Sequence, residues 1–297
     1  MTEHRFATVA VVGRPNVGKS TLLNALVGFS LSIVAPKPQT TRHRLLGVLT
    51  RDDVQFAFLD TPGIHRAQAR ALNKMLNRTA FSALEEADIV LWLLDAMRRT
   101  DEDELVAERL KGRKVPVVIA LNKADKIADK TKLLPMIAEL QQLYSPDAIV
   151  PISALKNSGT EQLIKVLAGL APVGDAQFDA EDITDRSERF LAAERVREQL
   201  ILQLHDELPY ATNVEIERWE QEGDVVKIGA VIWVERDAQK AIVIGSGGAQ
   251  LKAIGTRARK VLEKLLDARV HLETWVRVRE NWSDDERALK RMGIDQA

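Results

Sequence analysis

The chain has no cysteine. Disulfides and thiolate-bound zinc are excluded, which fits a reducing, cytoplasmic setting. An excess of charge of one sign is also missing: 42 Lys and Arg against 43 Asp and Glu give a formal net charge of −1. Any contact with nucleic acid must therefore come from local clustering and not from a basic chain overall. Long hydrophobic runs are absent. The strongest, Ile89–Leu94, falls far short of the about 20 apolar residues needed to span a bilayer. The start, Met1-Thr-Glu-His-Arg-Phe6, has no secretory apolar region, so no export signal is expected. What is present is ordinary for a soluble globular protein: 45% apolar and 29% charged residues. At 297 residues there is room for two domains, each with its own core.

Gly13-Arg14-Pro15-Asn16-Val17-Gly18-Lys19-Ser20 has the spacing of a phosphate-binding loop, G-x-x-x-x-G-K-[ST]. A short β-rich run, Ala7–Val12, precedes it, and Thr21–Val27 reads as the start of a helix. In that context the backbone N–H groups, the helix N-terminus and Lys19 converge on an anion, and Ser20 offers a hydroxyl to Mg²⁺. Further apolar runs follow at Val54–Leu59, Ile89–Leu94, Val115–Leu121 and Ile149–Ile152. Helix-like stretches lie between them at Leu72–Leu84, Asp103–Leu110, Leu133–Tyr144 and Thr160–Leu170. Continuous apolar strands alternating with helices predict an α/β domain, a mostly parallel sheet with helices on both faces. Ligands of such sheets sit at the carboxyl ends of the strands.

The remaining motifs fall on those ends. Asp60-Thr61-Pro62-Gly63 places a carboxylate where it can hold Mg²⁺ through water, and the Gly63 N–H within reach of a γ-phosphate. The same tetrapeptide is also good turn chemistry. Asn122-Lys123-Ala124-Asp125 supplies a carboxylate that can accept from N1–H and the 2-amino group of guanine, a donor pair adenine lacks. Ser153-Ala154-Leu155 then offers a backbone N–H to the guanine carbonyl.

Four such loops in this order resemble the translation-factor-class GTPases over residues 7 to about 172. By that resemblance Gln39-Thr40-Thr41-Arg42-His43 is the first switch loop, and Thr41, with Thr40 as the alternative, joins Ser20 and Asp60 on Mg²⁺. Lys19, Thr41 and Gly63 then carry the catalytic roles. A glutamine orients the attacking water in Ras-like enzymes. Here that position is Ile64, followed by His65, so slow intrinsic hydrolysis that needs a partner is expected. Asn16 resembles the residue that, in related GTPases, helps hold a K⁺ beside the phosphates. Residues Ile64–Asp88 read as the second switch, which relays nucleotide state, with the packing of a long surface helix as the alternative.

Beyond Ala171-Pro172 the chain turns acidic and loses apolar periodicity, which places a linker at 173–186. A helical pattern resumes over Ser187–Leu208. Alternating runs follow at Val214–Glu217 and Val225–Glu235. Ala241–Ile244 leads into Gly245-Ser246-Gly247-Gly248, and after it come a helix to Leu266 and a last strand through Val270, Leu272, Val276 and Val278. A G-x-x-G is weak evidence alone. After helix-β-β and before a basic helix it reads as an α+β KH domain, whose loop clamps single-stranded RNA backbone. Ile244 through Gly248, with Lys252, Arg257 and Lys260, are the candidate RNA contacts, and Arg259 and Lys264 extend the positive stripe.

The combination closely resembles the Era family of bacterial ribosome-assembly GTPases, across nearly the whole chain. Gln39–His43, Ile183-Thr-Asp-Arg-Ser187, Val214-Glu-Ile-Glu-Arg218 and Asp284-Asp-Glu-Arg-Ala-Leu289 all fit it. The resemblance implies a GTPase domain at 1–172, the linker, a KH domain at 187–280 and a helical tail at 281–297. It implies binding of GTP and GDP with Mg²⁺, GTP hydrolysis, and recognition of small-subunit ribosomal RNA near its 3′ end. Maturation of the 30S subunit, a link to growth control and peripheral association with the inner membrane come with it, and a monomer is expected. Two positions depart from the pattern. Ser246 and Gly247 stand where relatives carry a basic residue, which predicts weaker, less salt-dependent RNA binding. Leu155 stands where many GTPases have Lys, which loosens contact with the guanine face. Ser283 to Glu286 fits a capping box for a short helix through Met292.

Two rival classes remain at this level. An ATP-using kinase or transporter subunit could share the phosphate loop, but Asn122-Lys123-x-Asp125 argues against it. A nucleotide-binding adaptor could use the KH fold to dock protein, against which stand the glycine loop and its basic helix.

Overall fold

The computed structural model describes residues 3–37, 40–63, 71–205 and 208–291. In the first domain β1 (Arg5–Val12) leads through the phosphate loop to α1 (Lys19–Val27), then β2 (Leu45–Arg51), β3 (Val54–Asp60), α2 (Ala71–Glu85), β4 (Ile89–Asp95) and α3 (Asp101–Leu110). β5 (Val117–Asn122), α4 (Leu133–Tyr144), β6 (Ala148–Pro151) and α5 (Thr160–Leu170) complete it. The strands form one sheet in the order β2-β3-β1-β4-β5-β6. All neighbours are parallel except β2, which pairs antiparallel with β3.

The side-chain period of two explains the continuous apolar runs. Val9 and Val11 of β1 join Leu22, Phe56, Leu91 and Leu163 on one face. Ala10 and Val12 join Val90, Trp92, Val106 and Leu140 on the other. Because helices cover both faces, β3 and β4 are buried at every residue. The edge strand β2 is only partly buried, and Gly47 interrupts its apolar residues. Its sequence, Leu-Leu-Gly-Val-Leu-Thr-Arg, forms a strand because β3 offers it a free edge.

The second domain comprises α6 (Glu188–Gln203), β7 (Asn213–Glu222), β8 (Val225–Val234), α7 (Asp237–Ile244), α8 (Ala249–Leu265) and β9 (Arg269–Val278). β8 is the central strand, antiparallel to β7 and parallel to β9. Val226, Ile228, Ala230, Ile232 and Val234 of β8 face α6 and α8, meeting Val196, Leu200, Ile254, Ala258 and Leu262. One element differs from the sequence expectation. The stretch leading into the glycine loop is the helix α7, started by the Gln239 side-chain oxygen, which accepts N–H bonds from Glu235 (2.8 Å) and Arg236 (3.1 Å). The loop therefore joins two helices.

The 173–186 segment is irregular but not detached. Gln55, fully buried, accepts the N–H groups of Gln177 and Phe178 and donates to the Phe178 carbonyl, while Val48 N–H donates to Ile183 O. The tail docks where the sequence was silent. After a 3₁₀ turn at Trp282–Asp284, α9 (Glu286–Arg291) packs on α2 of the first domain. Trp282, Ala288 and Leu289 are buried against Leu72, Met75 and Leu76. The capping box is not formed as expected. Ser283 donates its hydroxyl to Glu235, and it is Asp285 that accepts the Arg287 N–H (2.9 Å). Met292, the expected end of this helix, lies outside the described residues. Among the described residues no helix is long and apolar enough to cross a membrane.

Candidate nucleotide and RNA sites

A cleft of about 550 Å³ opens at the carboxyl ends of β1, β3 and β5, where the phosphate loop, Ile33–Pro36, Thr40, Thr41, Gly63, Asn122–Lys126 and Ser153–Leu155 meet. Asn16 (φ 60°) and Gly18 (φ 105°) take left-handed conformations that shape a backbone concavity of the kind that binds anions. Gly18 is also required by crowding, since a Cβ there would lie 2.3 Å from Asn122 Nδ2. Lys19 is buried, and its Nζ donates to the carbonyls of Gly13 (3.0 Å) and Arg14 (3.1 Å). Burial lowers its pKa to about 8, against the opposing pull of Asp60. An anion in the loop would favour the charged ammonium again.

Not every motif residue faces the cleft. Val17 and Thr61 are fully buried, and the Thr61 hydroxyl donates to Val11 O (3.0 Å), so both fix the shape of their loops. Pro62 is buried, whereas Pro15, Thr21 and Gly63 line the cleft. Arg14 turns away to the first turn of α3. Its Nη2 lies 3.3 Å from Asp95 and its Nε 3.2 Å from Asp103. Gln39, Ile64 and His65 lie outside the described residues.

One corner of the cleft gathers oxygen atoms. The hydroxyls of Ser20 (3.1 Å), Thr41 (3.3 Å) and Ser32 (2.9 Å) all donate to Asp60 Oδ2, and Ser20 Oγ lies 3.0 Å from Thr41 Oγ1. Asp60 is fully buried, and that burial raises its carboxyl pKa in spite of Lys19 and the three hydroxyls. Its Oδ1 has no hydrogen-bond partner among the described residues. An orphaned carboxylate oxygen amid hydroxyls suits a hard divalent cation such as Mg²⁺. Thr41, not Thr40, brings its hydroxyl to this corner. Sequence reasoning missed Ser32, which no motif marks.

The guanine side is knitted together separately. Asn122 Nδ2 donates to Val17 O (2.9 Å), while its Oδ1 accepts from the N–H groups of Lys123 (2.8 Å) and Ala154 (3.0 Å). Lys123 Nζ donates to Asn16 O (3.1 Å) and to Asp95 (2.7 Å). Ala124 N–H donates to Ile152 O (3.0 Å). The Ser153 hydroxyl, with Lys156 at 3.5 Å, holds the Asp125 carboxyl below its ordinary value. Leu155 is 80% exposed on the rim, and the neighbouring Lys156 is the cation that reaches Asp125.

The second site surrounds the glycine loop. Gly245, Gly247 and Gly248 all have positive φ (71°, 57° and 80°), which lets the chain pass directly from α7 into α8. Ser246, Gly247, Lys252, Arg257 and Lys260 are exposed, and Ile244 is half-buried. Arg259 is engaged by Glu263 at 2.6 Å. Lys252 sits in the first turn of α8, whereas Lys260 lies roughly 18 Å along the axis from Gly248 by the helical rise. Next to the loop a groove of about 650 Å³ is lined by Gly245, Ser246, Arg236, Gln239, Ile242 and His205. Arg236, Gln239 and Ile242 were missed because the sequence reading had no α7 to place them on, and His205 because it follows the end of α6 with no motif to mark it.

Comparison with known proteins agrees with this geometry. A family model described as a 50S ribosome-binding GTPase matches residues 8–123, and a KH-domain model matches residues 207–283. The chain is 55% identical over 292 residues to GTPase Era of Xanthomonas oryzae pv. oryzae, covering 98% of both chains. It is 52% identical over 294 residues to GTPase Era of Stenotrophomonas maltophilia (strain R551-3), covering 99% of both. It also resembles the crystal structure of Era in complex with MgGDPNP and nucleotides 1506–1542 of 16S ribosomal RNA. The TM-score is 0.94 at 38% identity, over 98% of this chain and 99% of that one. A guanine-selective loop set, a KH fold and identity above one half over the full length lead to one conclusion: the chain belongs to the Era family of GTPases.

Proposed function

We propose that this GTPase is a switch whose nucleotide state is read out on the 3′ end of small-subunit ribosomal RNA during 30S maturation. The observation that carries the reading is the coexistence, in one chain, of the Ser20–Thr41–Asp60 corner and the Gly245–Gly248 loop with its basic helix. The relative solved with MgGDPNP and a 16S ribosomal RNA segment supports pairing these two ligands. In this reading Gly13–Thr21 and Gly63 cradle the phosphates, Lys19 neutralises them, and Asn122 and Asp125 with the Ser153–Leu155 loop select guanine. Ser20 and Thr41 would hold Mg²⁺ directly and Asp60 through water; the cation, when bound, offsets charge on the phosphates. Ile64 leaves the attacking water without a side-chain hydrogen bond, so turnover is slow until RNA or a ribosomal partner assists.

Three finer features belong to the same proposal. Asn16, exposed on the phosphate loop, would help hold a K⁺ beside the phosphates; equal turnover in KCl and NaCl would remove K⁺ from the reading. Contact with the cytoplasmic face of the inner membrane is peripheral, and the chain acts as a monomer in the cytoplasm. A link to growth control follows from the supply of mature 30S subunits.

The test is binding of a ribosomal 3′-end oligonucleotide with a non-hydrolysable GTP analogue against GDP. Tighter binding with the analogue is expected; equal affinity in both states would mean that RNA is not the readout. Because Ser246 and Gly247 carry no charge, the salt dependence should be shallower than that of a relative with lysine in the loop.

A further inference from the structure

The first switch loop is held by the other domain. Four cations span the boundary, each directed at backbone or hydroxyl oxygens. From α6, Arg195 donates to Ser30 Oγ (3.1 Å) and Leu31 O (2.9 Å), and Arg197 donates to Thr40 O (2.6 Å). In the opposite direction Lys37 donates to the carbonyls of Ile201, at 2.7 Å, and Leu204 at the end of α6. Arg42 donates to Thr212 O (2.6 Å) and Pro209 O (3.2 Å). His43 packs edge-on against Phe190, with ring centroids 5.0 Å apart.

Arg197 is the contact nearest the chemistry. It is 1% exposed, and a fork of two 2.6 Å bonds to Glu194 fixes its guanidinium. The Nη2 that completes the fork also holds the Thr40 carbonyl, one peptide unit from the hydroxyl in the Asp60 corner. A buried ion pair is weak evidence of stabilisation, because desolvation offsets the Coulombic gain. This one sits on a single helix, three residues apart, and needs no contact with another domain to form. What burial adds here is a rigid donor aimed at the switch loop.

We infer that Arg197, carried by the RNA-binding domain, is a positioning residue for the GTP site of the other domain: through the Thr40 carbonyl it holds the Thr41 hydroxyl on the cation side of the cleft. The inference rests on the reading of Thr41 as a cation-facing hydroxyl. Its consequence is reciprocal, since a movement of α6 that releases Thr40 must weaken binding of GTP with Mg²⁺ by the factor with which GTP opposes that movement.

The test is equilibrium binding of a fluorescent non-hydrolysable GTP analogue and of GDP to the full chain across a Mg²⁺ titration. The variants are Arg197→Ala, the double variant Glu194→Met with Arg197→Met, Thr41→Ala and Thr41→Ala combined with Arg197→Ala. The methionine pair removes the buried charges and keeps side-chain volume, so it answers the question even where Arg197→Ala folds poorly. Loss of Arg197 should weaken the GTP analogue about tenfold and raise the Mg²⁺ midpoint, with GDP affinity unchanged, since coupling energies between sites have about this size. Thr41→Ala should do the same, and the combined variant should be no worse than Thr41→Ala alone. Unchanged analogue binding in the methionine pair, or fully additive losses, overturns the role of Arg197 while leaving Thr41 in place. If Thr41→Ala itself moves neither affinity nor midpoint, the reading of the cation corner fails, and the inference fails with it.

Discussion

The two ends of the nucleotide cleft are built from different material. At the guanine end Asn122, Lys123, Asp95, Val17 and Ala154 hold one another, and every partner belongs to the first domain. At the cation end the loop bearing Thr41 is fixed by Arg195 and Arg197 from α6 and by carbonyls at Ile201, Pro209 and Thr212. Recognition of the base is thus local and permanent. Placement of the switch is distributed, and depends on how the RNA-binding domain sits. A GTPase that binds GDP and GTP alike gains from this division: the shared base is held within one domain, and the side facing the differing phosphate is held from the other.

Four measurements would break or sharpen this contrast, taken from the largest effect to the smallest. The first domain has a second tie to the C-terminal part of the chain at Trp282, which is fully buried against α2. Trp282→Ala should cost about 3–5 kcal/mol in denaturant unfolding and free α2 amides for exchange, since a large buried side chain leaves a cavity. An unchanged midpoint and protected α2 amides would show that the tail does not brace this helix.

Acid should next separate the two ends. Burial alone would raise the Glu194 carboxyl, but Arg197, with smaller help from His43 and Arg195, pulls it down to about 2 from 4.5. A depressed carboxyl stabilises the fold fully above its unfolded value and loses that contribution as pH falls through its folded value. The fold around this pair should therefore lose stability between pH 4.5 and 2, by about 3 kcal/mol for a shift of this size. Unfolding midpoints of the wild type and Glu194→Gln, compared at pH 5 and pH 3, read this directly. Parallel acid curves would mean that Glu194 carries none of it.

Third, Asn122→Ala strips three hydrogen bonds from the guanine end. It should weaken GTP and GDP equally, by about 2–3 kcal/mol for buried groups left unpaired. Calorimetry showing a loss confined to GTP would contradict the division drawn above. Last, Lys252→Ala beside the glycine loop should flatten the salt dependence of RNA binding by about one unit of slope, with nucleotide affinity unmoved.

How far the sequence discloses such a molecule depends on where the partners lie. The guanine end was legible because Asn122–Asp125 and Ser153–Leu155 are spaced along the chain as they are used. Gly13–Ser20 and Asp60–Gly63 were legible for the same reason, as were the strands buried on both faces. β2 escaped because its seven residues become a strand only against β3. α7 escaped because it is only eight residues long and buries Val243 alone, so its Ala-Ile-Val-Ile run shows no helical face in the sequence. The clamp on the switch loop was invisible for a stronger reason. Arg195, Arg197, Lys37 and Arg42 are ordinary basic residues in the sequence, and their acceptors are mainly backbone carbonyls about 160 to 170 positions away. A carbonyl has no residue type, so no spacing or motif can mark it.

The dependence of residues 30–43 on α6 and Pro209–Thr212 also imposes an order on biosynthesis. A chain leaving the ribosome N-terminus first folds its β1–α5 sheet with the guanine loops already braced, and can take up nucleotide in that state. Its switch loop lacks its anchors until about forty further residues have emerged beyond α5. During that interval the loop bearing Thr41 lacks the donors and acceptors that α6 and Pro209–Thr212 supply, so its fixed position waits on the synthesis of the second domain.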